Sequence, residues 1–222
     1  CRGGVTRQPW YAVPCCPSNI SRTWADLRNY LYSHNEGNIR VHQFVNSTAE
    51  FEKCGGVNIK LETGLPWSGA VRIEVNPPDK QEFNLHIRIP SWTSGWIIQL
   101  NGETLEPKVA KASSNQTASG YDPRVSCFLP LKRTWSPGDV VEIEFDMDIL
   151  LHRAHPKVKG HNGKAAISLG PVIYCLESID NPNIDIFSTQ IDLDSFYEYF
   201  SPDLLGGTTV IGVKSIEGIP LT

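Results

Sequence analysis

The sequence lacks several features that would place it at once in a common functional class. Its 222 residues contain no apolar run of membrane-spanning length and no block of like charges, and 20 basic against 24 acidic residues leave a formal charge of −4. This balance provides no electrostatic footprint for nucleic acid or an anionic lipid surface. We therefore expect no membrane span and no nucleic-acid partner, and a neutral or small polar partner fits better.

Common cysteine motifs are also missing. The six cysteines form no C-x-x-C pair and no dense small-domain framework, so cysteine usage does not decide the compartment, and localisation stays open. Cys54, Cys127 and Cys175 are predicted to be buried, unreactive thiols. Because the chain begins at Cys1 with neither an initiator methionine nor a signal peptide, we expect it to be part of a longer protein.

Two adjacent cysteines stand out in the segment "AVPCCPSNISR", residues 12–22. A disulfide between neighbours closes a strained ring, so Cys15 and Cys16 are predicted not to bond to each other. Pro17 follows them at the start of a helical run, and a helix N-terminus lowers the pKa of a thiol. Three interpretations are open from the residues alone: two buried structural thiols, a zinc site that holds both thiolates, or a catalytic thiol.

Few other residues are candidate partners for this pair. Tetrahedral zinc needs four ligands, and Cys1, fourteen residues before Cys15, is a possible third. His42 is predicted on the polar face of a strand. His152 and His155, in "LLHRAHPKV", could form a metal or acid–base pair, but a strand-end histidine more often makes a structural hydrogen bond.

Three tryptophans form a second group of candidates. Trp67 lies in "LPWSG", Trp92 follows "HIRIPS", and Trp96 begins an apolar segment. Indole rings in such places can stack on sugar rings, or they can pack in a core or between domains, which is the commoner role.

The residue pattern predicts a mainly β protein. One helix is expected over residues 17–34, where Ile20, Trp24, Leu27 and Leu31 recur at helical spacing. Asn101-Gly102 predicts a two-residue hairpin turn, and "SPGD" at 136–139 predicts another tight turn. Alternating apolar and polar residues predict strands at 38–46, 57–64, 69–77, 82–90, 96–103, 126–135 and 140–147, with one or two more from about residue 165. Short antiparallel strands at this spacing indicate a sandwich or jelly roll.

The order of these segments resembles one enzyme family. "WYAVPCCPSNISR" with its helix, then "LPWSG", "HIRIPSW", "LNGE", "RTWSPGDVVEIEFDM", "RAHPKV" and "LGPVIYCLE" are similar, over roughly residues 7–180, to glycoside hydrolase family 127. This family comprises the β-L-arabinofuranosidases and relatives of the DUF1680 type. The resemblance implies a retaining exo-glycosidase that acts on β-L-arabinofuranosides through a zinc-bound cysteine nucleophile, in an (α/α)6 barrel followed by β-sandwich domains.

The resemblance also implies roles for individual residues. Cys15 is similar to the family's nucleophile, which also binds Zn2+, and Cys16 is similar to a zinc ligand. The family takes its other two zinc ligands, a Glu and a Cys, and its acid/base Glu from the barrel, and this chain contains none of those positions. Ser18 stands where relatives commonly have a second proline. We therefore expect the 222-residue chain alone to be inactive.

The resemblance implies a division of the chain into three parts. Residues 1–37 are the C-terminal end of the barrel with its one remaining helix, residues 38–180 are an antiparallel β-sandwich, and residues 181–222 are a tail or the start of an adjoining β unit. The sandwich is expected to pack on its own upstream barrel, and the implied partner is an arabinose-containing oligosaccharide or glycan.

Two alternatives stay open. One is a non-catalytic β-sandwich module that binds carbohydrate or supports a neighbouring domain, and the other is a thiol-redox or zinc-storage protein built on the cysteine pair. The enzyme interpretation predicts some hundreds of helical residues with a Glu-x-Cys motif upstream of Cys1, and the module interpretation does not.

Overall fold

A computed structural model describes residues 15–105, 127–186, 188–204 and 206–221, and strands predominate in these ranges. One α-helix, α1 (Cys15–Asp26), is followed by a 3₁₀ turn at Leu27–Tyr30. The predicted mainly β, antiparallel fold is confirmed. The strands, in chain order, are β1 (Tyr32–Asn35), β2 (Asn38–Val41), β3 (Ser47–Phe51), β4 (Val57–Thr63), β5 (Ala70–Asn76), β6 (Gln81–Ile89), β7 (Trp96–Leu100), β8 (Glu103–Thr104), β9 (Cys127–Trp135), β10 (Asp139–Phe145), β11 (Ile149–Arg153), β12 (Ala165–Leu169), β13 (Val172–Tyr174), β14 (Ile191–Ser201), β15 (Thr208–Ser215) and β16 (Pro220–Leu221).

The predicted helix over 17–34 is correct only in its first half. α1 ends at Asp26, and residues 32–35 form β1, which pairs antiparallel with β2 across a two-residue turn containing Gly37 at φ +68°. Leu31, predicted on the apolar face of the helix, is instead a buried residue between the 3₁₀ turn and β1, and its carbonyl accepts a hydrogen bond from the His42 amide at 2.8 Å. Pairing of β1 with β2 satisfies the backbone N–H and C=O groups that a longer helix would have paired internally. Helical periodicity in the sequence does not reveal this alternative strand pairing.

Two sheets face each other across the core. The four-stranded sheet has the order β1-β2-β6-β9, and the six-stranded sheet has the order β3-β4-β5-β10-β7-β8. All neighbours are antiparallel except β2 and β6, which are parallel. The inward residues alternate as predicted along β2, β4, β5, β6 and β10. The inward residues exposed by 1% or less include Ile39, Val41, Val57, Ile59, Leu61, Ile73, Val75, Leu85, Ile87, Ile89, Ile98 and Val141.

Two predicted turns meet at one corner of the sandwich. Asn101 and Gly102 have φ values of 51° and 82° and close the β7–β8 hairpin, which confirms that turn. The Ser136–Asp139 turn carries the chain from β9 in one sheet to β10 in the other, and the Asp139 amide donates to the Ser136 carbonyl. The Asp139 carboxylate accepts hydrogen bonds from the Ser136 amide and the Asn101 side chain, both at 2.9 Å.

The Asp139 carboxylate is largely buried and is stabilised in its charged form. Burial by itself raises the pKa of Asp139, but the hydrogen bonds from Ser136 and Asn101, together with the charges of Arg133 and Lys80, outweigh burial and lower this pKa. The ionised side chain therefore joins the β9–β10 turn, which connects the two sheets, to the β7–β8 hairpin turn.

We expect Asp139→Asn to lower the free energy of unfolding at pH 7 by about 1–3 kcal/mol, because the amide replaces two charge-assisted acceptors. The folded-state pKa lies below the unfolded one, so this stabilisation is present above the unfolded pKa and is lost as pH falls through the folded pKa. Urea unfolding at a series of pH values measures the difference. Glu82→Gln, which removes an exposed partner of Lys132, is the control and should change stability little. The same pH dependence in Asp139→Asn and the wild type would contradict the assignment.

The residues after β10 form two further sheets. β11, β12 and β13 make one antiparallel three-stranded sheet, and β14, β15 and β16 make another. The facing sheets of the sandwich thus end at Phe145, and the sheet pairing changes at Ile149. The domain division at residues 37 and 180 stays a prediction. No helix in the described part of the chain has both the length and the hydropathy to cross a membrane.

Candidate active site

Cys15 and Cys16 occupy the first two positions of α1. Their Sγ atoms lie 3.9 Å apart, and both thiols are free and exposed. This separation far exceeds the S–S bond length of about 2.05 Å, which agrees with the prediction that the neighbours do not bond to each other. Pro17 lies in the first turn, where its missing N–H removes no intrahelical hydrogen bond. The described residues do not bury the pair, so their packing gives no support to the buried-thiol interpretation.

The separation of the two sulfurs fits metal ligation. Two thiolates bound tetrahedrally to zinc, with Zn–S distances of about 2.3 Å, lie about 3.8 Å apart. The observed distance of 3.9 Å is therefore close to one edge of a zinc tetrahedron. Among the described residues, no group of three or more His, Cys, Asp or Glu side chains could hold a metal ion. A zinc ion at this pair would take its other ligands from outside these residues, and Cys1 lies outside them too.

The electrostatics of the pair differ from the sequence expectation. The pKa of the Cys16 thiol is raised, first by its hydrogen bond with the Cys15 side chain and then by the charge of that neighbour. The lowered pKa predicted for a helix N-terminus is therefore not found for Cys16. Two adjacent thiolates repel each other, and a divalent cation between them reverses this effect because it stabilises both charges. The pair is suited to a cation-bound state.

The sequence-predicted histidines are hydrogen-bonded singly rather than assembled into a cluster. The Nε2 atom of His42 lies 2.7 Å from Ser33 Oγ, and Nε2 of His152 lies 2.7 Å from the buried Ser168 Oγ. His155 Nδ1 accepts a hydrogen bond from a backbone amide two residues later at 3.2 Å. These contacts support structural roles for all three, as the strand-end positions indicate.

The three tryptophans divide into two environments. Trp92 and Trp96 are half-buried against the sandwich core, and the Trp92 ring meets Phe145 edge-on at a centroid distance of 5.7 Å. Trp67 is different, because it is 58% exposed in the loop between β4 and β5. Core packing explains the first two, and Trp67 stays a candidate for a ligand contact.

The other cysteines are only partly as predicted. Cys54 is buried and Cys127 is half-buried, but Cys175 is exposed. The prediction of a buried Cys175 is wrong because β13 ends at Tyr174 and the thiol lies on the segment that follows. The described structure gives Cys175 only a long contact of 3.9 Å to the Glu177 carboxylate.

Sequence reasoning missed a second set of surface residues. Tyr199 and Phe200 on β14 line a groove together with Trp67, and the carboxylates of Glu144 and Glu198 line it too. The signal in the sequence is the run "FYEYF", which places aromatic side chains in a strand of mostly exposed residues.

Comparison with known protein families assigns the chain. Residues 38–147 match the family model of the middle domain of glycoside hydrolase family 127, described as β-L-arabinofuranosidase. Residues 149–220 match the family model of the glycoside hydrolase family 127 C-terminal domain. The change between the two matches falls where the sheet pairing changes. The chain belongs to glycoside hydrolase family 127.

Individual relatives agree with this assignment. A non-reducing end β-L-arabinofuranosidase of Bifidobacterium longum subsp. longum is 29% identical over 95% of this chain and 31% of that protein. The crystal structure of a family 127 β-L-arabinofuranosidase from Geobacillus stearothermophilus T6 superposes with a TM-score of 0.80 and 31% identity, covering 96% of this chain and 32% of the other. A solved family 127 β-arabinofuranosidase superposes with a TM-score of 0.76 and 27% identity. The match covers 97% of this chain and 36% of the other. The chain thus spans about a third of the length of these relatives.

Proposed function

We propose that this chain is the C-terminal part of a retaining exo-glycoside hydrolase that acts on β-L-arabinofuranosides, with Cys15 as its zinc-bound nucleophile. The observation that carries the proposal is the pair of free, exposed thiols, 3.9 Å apart at the start of α1, in a family 127 chain. The names of the relatives support the choice of sugar.

Cys15 supplies the reacting sulfur in two displacement steps. Its thiolate attacks the anomeric carbon as the bond to the leaving-group oxygen breaks, and that oxygen takes a proton from an acid outside the described residues. A water molecule then attacks the same carbon and gives its proton to the group that acted as the acid, the C–S bond breaks, and the thiolate is regenerated. Two inversions at one carbon retain its configuration.

Cys16 is proposed to act through position and charge. Cys15 and Cys16 would hold a zinc ion as thiolates, and its positive charge would favour the thiolate of Cys16, whose pKa is raised first by its hydrogen bond with Cys15 and then by the charge of that neighbour. The first turn of α1 sets the spacing of the two side chains, so Cys16 would hold the ion beside Cys15 without reaching the sugar itself. The remaining ligands and the acid/base group would come from upstream, and this is why the 222-residue chain alone should be inactive.

The surface of α1 supports packing against an upstream part of the protein. Ile20 and Trp24 are 56% and 70% exposed, and no residue of α1 is buried in the described structure. Leaving such apolar area in water costs about 25 cal/mol per Å². We therefore propose that this face of α1 packs on the catalytic barrel of the full-length protein.

The identity of the nucleophile can be tested by covalent labelling. When the full-length protein reacts with an arabinofuranose-configured electrophile, we expect mass spectrometry of peptide 8–22 to locate the label on Cys15, because the thiolate that attacks the sugar also attacks the analogue. Excess free arabinose should slow the labelling.

Each other outcome would point to a different mechanism. A label on Cys16 would reverse the two roles, and a label on an upstream carboxylate would remove the cysteine mechanism. A full-length protein with neither label nor glycosidase activity would favour the non-catalytic module.

A further inference from the structure

A groove of about 600 Å³ lies between the sandwich and the C-terminal sheet of β14–β16. Trp67, Glu144 and Asp146 line it from the sandwich, and Glu198, Tyr199 and Phe200 line it from β14. Both family 127 domains therefore contribute to its walls. This volume is in the range of ligand-binding clefts, which occur often at domain interfaces.

Two aromatic side chains of β14 that line the groove are exposed but in contact with neighbouring groups. Phe200 is 67% exposed, and a side chain at Gly207 would come within 2.9 Å of its ring, so the ring lies directly over that glycine. Tyr199 stacks on Tyr197 with ring centroids 6.0 Å apart and an interplanar angle of 26°. Rings that are fixed before a ligand arrives lose little conformational entropy on binding.

Trp67 is positioned by its own loop. The amides of Trp67 and Ser68 both donate to the Gly64 carbonyl, each at 3.0 Å. A side chain at Gly69 would collide with the Phe145 carbonyl, so the loop lies directly against the end of β10. The indole is thus presented to solvent by a loop that backbone contacts hold.

Three of the residues that line the groove carry carboxylates, which are hydrogen-bond acceptors. Within the described ranges, no ion pair or side-chain hydrogen bond uses the carboxylates of Glu144, Asp146 or Glu198. Gly95 leaves room for the Asp146 carboxylate, since a side chain there would collide with it. Ionised carboxylates accept hydrogen bonds only, so a complementary ligand carries several donors.

We propose that this groove binds a neutral oligosaccharide. Sugar rings offer an apolar C–H face that can lie on Trp67 or on one of the two β14 rings, which point to opposite faces of the strand, and their hydroxyls offer donors to the carboxylates. Three carboxylates disfavour an anionic glycan such as a polyuronate. The inference rests on the proposed function only for the choice of ligand, a neutral glycan that carries the arabinose the enzyme removes.

Isothermal titration of the full-length Cys15→Ser protein with linear α-1,5-arabinohexaose tests the proposal, because this neutral probe has only α linkages, which a β-L-arabinofuranosidase would not cleave, and the serine removes any residual turnover. In this background, Trp67→Leu should weaken binding roughly three- to tenfold, because leucine keeps the apolar character but loses the aromatic face. Trp67→Phe should retain most of the affinity, and Glu144→Gln should weaken binding. Ile97→Ala, at an exposed position on β7, is the matched surface control and should bind as the background does.

Hydroxyl-radical footprinting of the wild-type protein gives a readout that needs no substitution. Trp67 should be oxidised without arabinohexaose and protected with it. Protection without the sugar would overturn the proposal, because another part of the protein would then cover the groove. Unchanged affinity in Trp67→Leu would also overturn it. If Trp67→Leu weakens sugar binding while the covalent label falls elsewhere than Cys15, only the proposed catalytic role fails. If the label falls on Cys15 while Trp67→Leu binds the sugar unchanged, only the groove proposal fails.

Discussion

Cys15→Ser in the full-length protein should abolish turnover, with a loss in kcat of about 10⁴-fold or more. A serine oxygen is a much poorer nucleophile than a thiolate and a poorer zinc ligand, and loss of a nucleophile removes the interaction on which both displacement steps depend. Substantial zinc should stay bound, since Cys16 and the proposed upstream ligands persist. Steady-state kinetics on an aryl β-L-arabinofuranoside and metal analysis by mass spectrometry measure the two quantities.

Cys16→Ser is the matched control, because it makes the same chemical change one residue away. It should lower zinc occupancy and activity together, and added zinc should restore part of both. If zinc restored full activity to Cys15→Ser, Cys15 would be a ligand only. Activity within about tenfold of the wild type in Cys15→Ser would rule out a nucleophilic role altogether.

Trp135→Ala should destabilise the protein by about 3–5 kcal/mol, which approaches the total stability of many domains. Trp135 is fully buried at the end of β9, its ring stacks on Phe83 at 5.6 Å, and its indole N–H donates to the Phe83 carbonyl at 3.1 Å. Truncation removes these contacts and leaves a large cavity. Urea unfolding followed by circular dichroism measures the loss.

Trp67→Ala provides the comparison for this change. The same truncation at a side chain that is 58% exposed should cost no more than about 1 kcal/mol. Trp135→Phe should fall between the two, because it keeps an aromatic ring but loses the hydrogen bond to Phe83 and part of the volume. Equal destabilisation by both alanine substitutions would contradict the assignment of Trp135 to the core.

The sandwich could be predicted because most of its core strands show alternating apolar and polar residues in the sequence. β4, β5, β6 and β10 alternate strictly, and the alternation alone identifies the buried face of each. β1 and β3 were missed because "YSHN" and "STAEF" have few apolar residues and are stabilised by neighbouring strands. Pairing partners are non-local, and periodicity does not encode them.

The two candidate sites differ in how far the sequence could reveal them. The cysteine pair is visible as adjacent letters, because its two sulfurs come from one turn of one helix. The groove cannot be predicted from local pattern, because Trp67 and Tyr199 lie more than a hundred positions apart and line one groove only when the C-terminal sheet lies beside the sandwich.

Local patterns of residues were sufficient to predict the mainly β fold, the two tight turns, the adjacency of Cys15 and Cys16, and the family that the ordered motifs resemble. Tertiary structure alone decided that the helix ends at Asp26, that β2 and β6 run parallel, and that Cys175 is exposed. It also decided which carboxylates near Trp67 have no hydrogen-bond or ion-pair partner in the described part of the chain. These features depend on contacts between distant segments, whose energies are set by packing and hydrogen bonding in the folded chain rather than by any residue's own preference.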